Sequence, residues 1–141
     1  MRPTKEKGGF TLMEIMVVVI IIAIIAAIVV PRYVQQAERA KVKATKVQIK
    51  EVEKALSLYK LDAGVYPTTS EGLRGLVDKP ASFTGSWPKG GYIDSVPKDA
   101  WGRDFIYTCP GASGRDYDIT SLGADGREGG EDENADISNA G

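Results

Sequence analysis

The run from Phe10 to Val30 constrains this chain more than any other stretch, because only Thr11 and Glu14 among its 21 residues are polar. As an α-helix it spans roughly 30 Å, the hydrocarbon thickness of a bilayer, so its length predicts a membrane-crossing segment. Glu14 sits one turn inside, where a carboxylate costs less than the about 2.5–3.5 kcal/mol it costs at the bilayer centre. It either reaches back toward headgroups or has a cationic partner. Arg2, Lys5 and Lys7 precede the run as in a secretory signal peptide. The run, however, exceeds the roughly 7–15 apolar residues of such a peptide and passes into Pro31-Arg32 with no small-x-small cleavage site.

Beyond the anchor, roughly 110 residues remain, enough for one small domain with one core. The chain has no histidine, which excludes Ser-His-Asp and Cys-His catalysis and a His-ligated zinc site. The net charge is −1, and the first nine residues carry +2 of it, leaving −3 for the remainder. So small a charge gives no electrostatic footprint for nucleic acid. Basic residues gather after the anchor (Arg32, Arg39, Lys41, Lys43, Lys46, Lys50) and acidic ones near the end (Asp125, Glu128, Glu131, Asp132, Glu133, Asp136). Cys109 is the only cysteine, so no internal disulfide forms and a buried or half-buried thiol is expected.

Pro31 ordinarily kinks or ends a helix, but Val42, Thr45, Ile49, Val52, Leu56 and Tyr59 repeat by three and four beyond it. The spacing predicts a helix continuing to about Leu61, with Gly64 suited to a left-handed stop. Thr68 and Glu71 have capping-box spacing before a short helix whose apolar face is Leu73, Leu76 and Val77, ended by Pro80. Residues 81–91 read as loop. Three strands are expected, at Tyr92-Ile93, Asp104 to Thr108 and Tyr117 to Ser121. Trp101 is expected in the core. The resulting fold class is α+β: a long N-terminal helix, hydrophobic then amphipathic, packed on a small three-stranded antiparallel sheet.

Leu122 to Asp136 is rich in glycine and carboxylate. By composition it is a solvated tail, yet hard cations take six to eight oxygen ligands from such loops. Its spacing does not match an EF-hand. Asp99 and Asp104 are the carboxylates that an acid-base pair in a membrane-tethered hydrolase would use.

Lys7-Gly8-Gly9-Phe10-Thr11-Leu12-Met13-Glu14-Ile15 resembles the class III leader of type IV pilins and type II secretion pseudopilins. The resemblance implies removal of residues 1–9 by a prepilin peptidase after Gly9, N-methylation of Phe10, and a role for Glu14 in neutralising the new amino terminus, within a chain or between neighbours. It favours the pairing between neighbours. Residues 10–30 would form the transmembrane and later filament-core helix, and residues 31–141 a periplasmic domain that includes the rest of the helix.

Tyr66-Pro67-Thr68-Thr69, Glu71-Gly72-Leu73, Gly91-Tyr92-Ile93, Pro97-Lys98-Asp99-Ala100-Trp101-Gly102 and Ser121-Leu122-Gly123-Ala124-Asp125-Gly126 resemble the major pseudopilin, or G subunit, family of type II secretion systems. The chain departs from that pattern at Ala100, where proline is common, and in its ending Ile137-Ser138-Asn139-Ala140-Gly141. The resemblance implies a pilin-like fold and a non-enzymatic filament subunit. It implies one calcium ion in a C-terminal metal-binding loop, with side chains of Asp125 and Asp136, carbonyls of Leu122 and Arg127, and Gly130, Glu131, Asp132 and Asn134 as the remaining, unranked candidates. Implied partners are further copies in a helical homopolymer, minor pseudopilins, the prepilin peptidase, an inner-membrane assembly platform and membrane lipid before assembly. A type IV pilin for adhesion or motility is the alternative, although one cysteine cannot close the disulfide loop usual in that group.

Overall fold

A computed structural model describes residues 8–140. The first seven residues of the expected leader lie outside the described residues. The chain divides into two compact units between Ala37 and Glu38.

Helix α1 runs from Leu12 to Ala63, with Pro31 inside it. Proline there removes one i→i−4 donor and leaves the carbonyl four residues earlier unpaired. The helix nonetheless extends past Leu61, and Gly64, at φ +80°, supplies the left-handed stop while its N–H donates to the Lys60 carbonyl at 2.7 Å. In the first unit every large apolar side chain from Phe10 to Val30 is exposed. The helix is long and apolar enough to cross a membrane.

In the second unit the predicted stripe is the buried face of the helix. Thr45, Ile49, Val52, Leu56 and Tyr59 are buried, joined by Ala55, and Val42 is half-buried. They pack against Leu73, Leu76, Phe83, Phe105, Tyr107, Tyr117, Ile119 and Ile137.

Three antiparallel strands complete the domain in the order β1 (Ile106–Thr108), β2 (Asp118–Ser121) and β3 (Ile137–Ser138). Tyr107 pairs with Ile119, and Ser121 with Ile137; these four are buried, as the two-residue period of a one-sided sheet requires. The sheet therefore corrects one expectation. Tyr92-Ile93 is not a strand, and the third strand comes from the tail. Tyr92 packs instead into an aromatic cluster with Tyr59, Phe83 and Trp87, at centroid distances of 5.4 Å, 6.3 Å and 5.3 Å, and donates its hydroxyl to Asp62 at 2.6 Å. Side-chain packing rather than a ladder orders the 81–91 segment.

The short helix Gly72–Leu76 is 3-10 rather than α. The reciprocal capping-box bonds still form just before it: the Thr68 N–H donates to the Glu71 carboxylate at 2.7 Å, and the Glu71 N–H to Thr68 Oγ1 at 3.3 Å.

Candidate functional site

Two regions carry the expected function, the start of α1 and the acidic loop. At the first, Thr11 is the residue before the helix, and its Oγ1 accepts the Glu14 N–H at 3.2 Å. Thr11 thus acts as N-cap and Glu14 occupies the third helical position, where the helix dipole favours a negative charge. The Thr-x-x-Glu spacing carries that signal in the sequence. Phe10 is 80% exposed, and Gly9 and Glu14 are exposed as well, so the implied cleavage bond and the carboxylate are both accessible.

The acidic loop is built from turns that fold its two arms together. The Ala124 N–H donates to the Glu133 carbonyl at 3.0 Å, and the Gly126 N–H to the Leu122 carbonyl at 3.1 Å. A Cβ on Gly123, at φ +61°, would lie 2.7 Å from the carbonyl oxygens of Asn134 and Ala135; one on Gly130, at φ +94°, would lie 2.5 Å from the Asn134 oxygen. Both positions need glycine because the backbone arms approach within side-chain distance.

The carboxylates are locally anchored. Asp125 Oδ1 accepts the Arg127 N–H at 3.0 Å, and Asp136 Oδ2 accepts the Gly129 N–H at 2.9 Å. Each has its other oxygen for a cation. Among the described residues no three His, Cys, Asp or Glu side chains gather as a metal-binding group. A cation here would therefore take backbone carbonyls with the two carboxylates, a hard all-oxygen donor set that suits calcium. Leu122, Asp125, Arg127, Gly130, Asn134 and Asp136 all belong to this folded loop and offer only oxygen donors, the chemistry a hard cation takes.

Arg103 was not among the residues singled out by motif, yet it holds the loop to the domain. Its guanidinium donates to the carbonyls of Gly123 at 2.6 Å and Ala124 at 2.9 Å, and a Cβ on Gly126 would meet its Cζ at 2.8 Å. No sequence motif announces it. Its position immediately after Trp101-Gly102 is set by Asp99, which is buried and accepts the N–H groups of Trp101 (3.0 Å) and Arg103 (2.8 Å) and the Ser121 hydroxyl (2.7 Å).

Asp99 is thus a scaffold for a turn, whereas Asp104 is exposed and 3.7 Å from Lys98 Nζ. Ala100 explains its own departure from the family pattern, since its N–H donates to Thr45 Oγ1 at 3.1 Å, a bond proline cannot make. The tail also packs, with the Ile119 N–H donating to Asn139 Oδ1 at 2.9 Å and the Arg115 guanidinium to the Asn139 carbonyl at 2.7 Å. Trp101 is half-buried, and its indole N–H donates to Glu38 at 2.7 Å. Lys41, then Trp101, hold the Glu38 carboxyl below its ordinary value. Cys109 is half-buried and unpaired.

The model of the family described as type II secretion system (T2SS), protein G matches residues 32–140, and that of the prokaryotic N-terminal methylation motif matches residues 4–30. The chain is similar to the type II secretion system core protein G of Pseudomonas aeruginosa, 48% identical over 137 residues, covering 96% of each chain. It is 46% identical over 140 residues to that of Vibrio cholerae serotype O1, covering 99% of this chain and 95% of the relative. Among solved structures it resembles the major pseudopilin from the type 2 secretion system of enterohaemorrhagic Escherichia coli. The TM-score is 0.64 at 36% identity, over 74% of this chain and 86% of that one.

Proposed function

Because this chain belongs to the type II secretion system protein G family, a family of structural pseudopilins, we propose that it is the major subunit of a periplasmic pseudopilus whose growth moves folded exoproteins through an outer-membrane secretin. The observation that carries the reading is the start of α1. A methylation motif over residues 4–30 leads into a helix whose large apolar side chains are all exposed in the single chain. Such a surface requires lipid or other copies to cover it. Before assembly lipid covers it, with the N-terminus cytoplasmic and the domain periplasmic; after cleavage behind Gly9 and methylation of Phe10, neighbouring helices do. Glu14 then pairs with the amino terminus of an adjacent copy and sets the register of packing.

The prepilin peptidase, minor pseudopilins and an inner-membrane assembly platform are the partners of this cycle. Calcium, when bound to Asp125, Asp136 and the carbonyls of Leu122 and Arg127, with Gly130 and Asn134 beside them, supplies positive charge that offsets carboxylate repulsion. The type IV pilin alternative is not favoured, since the relatives named above are secretion-system core proteins. A strain lacking this chain is expected to retain folded exoproteins in the periplasm. Normal exoprotein release together with loss of surface pili would overturn the reading.

A further inference from the structure

Within the second unit, Arg39, Lys43, Lys46, Lys50 and Lys54 recur along α1 at spacings of four, three, four and four. At 100° per residue they fall within an arc of about 80°, turned away from the buried stripe, and extend over about 22 Å. All five are exposed, and between Arg39 and Lys54 no acidic residue falls inside the arc, Glu53 lying about 20° beyond its edge. Lys43, Lys46, Lys50 and Lys54 enter none of the ion pairs among the described residues.

The chain also carries the complementary surface. Leu122 to Asp136 holds six carboxylates against one arginine, a net charge of −5, and Glu128, Glu131 and Asp132 are exposed. The two surfaces already meet at one end, where Arg39 Nε lies 3.5 Å from Glu133 Oε1. A single loop cannot also serve the lysines farther along the helix.

Resting on the filament reading above, we propose that the Lys43–Lys54 stripe of one copy receives the acidic loop of a second copy displaced along the helix direction. Beside Lys46 and Lys50 a cleft of about 210 Å³, lined also by Ile49, Glu53, Ser138 and Asn139, gives the incoming loop a seat in which the two lysines outnumber the one carboxylate. The contact joins unlike surfaces, so it is heterologous and propagates into an open filament rather than closing a dimer. Charge complementarity of this kind fixes register and speeds encounter.

The test uses the full chain in cells that assemble it into filaments. Lys46→Glu with Lys50→Glu is expected to lower sheared-filament yield about tenfold, and added Glu128→Lys with Glu131→Lys to restore it. Glu128 is outside the candidate cation donors, and all four residues are exposed, so a normal melting curve shows that the fold, the loop included, is kept. Should the reversed chain fail to fold, the unmodified chain decides: its yield is expected to fall steeply between about 0.05 and about 0.5 M salt as screening shortens the interaction. Parent-level filaments from the reversed chain, or a salt-independent yield, overturn the proposal while the filament reading stands. Loss that the loop reversal does not restore, accompanied by lost binding to anionic phospholipid vesicles, overturns it in favour of a lipid surface. Absence of filaments from the unmodified chain at every salt concentration overturns both.

Discussion

Arg103 is the side chain on which the acidic loop depends. It donates to two loop carbonyls from a half-buried position, and leaving such acceptors unpaired costs about 1–3 kcal/mol. Arg103→Met is expected to lower the melting temperature of the full chain in detergent by roughly 5–10 °C. A melting temperature equal to that of the parent contradicts the clamp.

Glu71 gives a pH-dependent counterpart. The Ser82 hydroxyl, followed by the N–H and hydroxyl of Thr68, holds its carboxyl below the ordinary value of 4.5. The unfolded chain therefore binds this proton more readily than the folded one, and stability rises with pH across the interval. The contribution is complete above 4.5 and is lost as pH falls through the lowered folded value. The stability gap between the parent and Glu71→Gln should be widest at neutral pH and close in acid; a gap that persists unchanged in acid, measured by urea unfolding, contradicts this origin.

Among the elements, α1 was the most legible in the sequence. Both of its signals, an apolar run and a stripe at three-and-four spacing, are local and repeat over many residues, so the penalty at Pro31 is outweighed on either side. Leu56 is fully buried at the centre of the stripe, and Leu56→Ala is expected to destabilise the domain by about 2–5 kcal/mol, read as a loss of denaturation midpoint; a change below about 0.5 kcal/mol contradicts the packing. The strands were less legible. Tyr92-Ile93 has strand composition, but its surroundings recruit Tyr92 into an aromatic cluster that involves residues some thirty positions away. Ile137-Ser138 is only two residues long and becomes a strand because β2 offers it an edge and Asn139 ties it down. Neither fact is written locally. The acidic loop was half legible: its carboxylates and glycines announce a turn-rich segment, whereas the close approach of Gly123 and Gly130 to Asn134, and the grip of Arg103, arise only once the arms are folded together.

At the scale of the whole molecule, one surface answers to two environments. On the proposed function the exposed apolar face of α1 meets lipid first and other copies afterwards, and Glu14 is the residue expected to distinguish these fates. Glu14→Ala should insert into the membrane as well as the parent and yield no shearable filaments, since only recognition of a neighbour needs the carboxylate; filaments at parental abundance contradict that role. Calcium is expected to raise the melting temperature of the full chain by mass action, with the gain lost on adding a chelator; equal melting temperatures contradict a bound ion. The proposed cleavage behind Gly9, which would convert a membrane anchor into the core of a filament, is tested most directly by the intact mass of the subunit recovered from sheared filaments. The expected species is a chain that begins at singly N-methylated Phe10. A filament subunit that still begins at Met1, or a chain found only in the membrane fraction at full length, would contradict it.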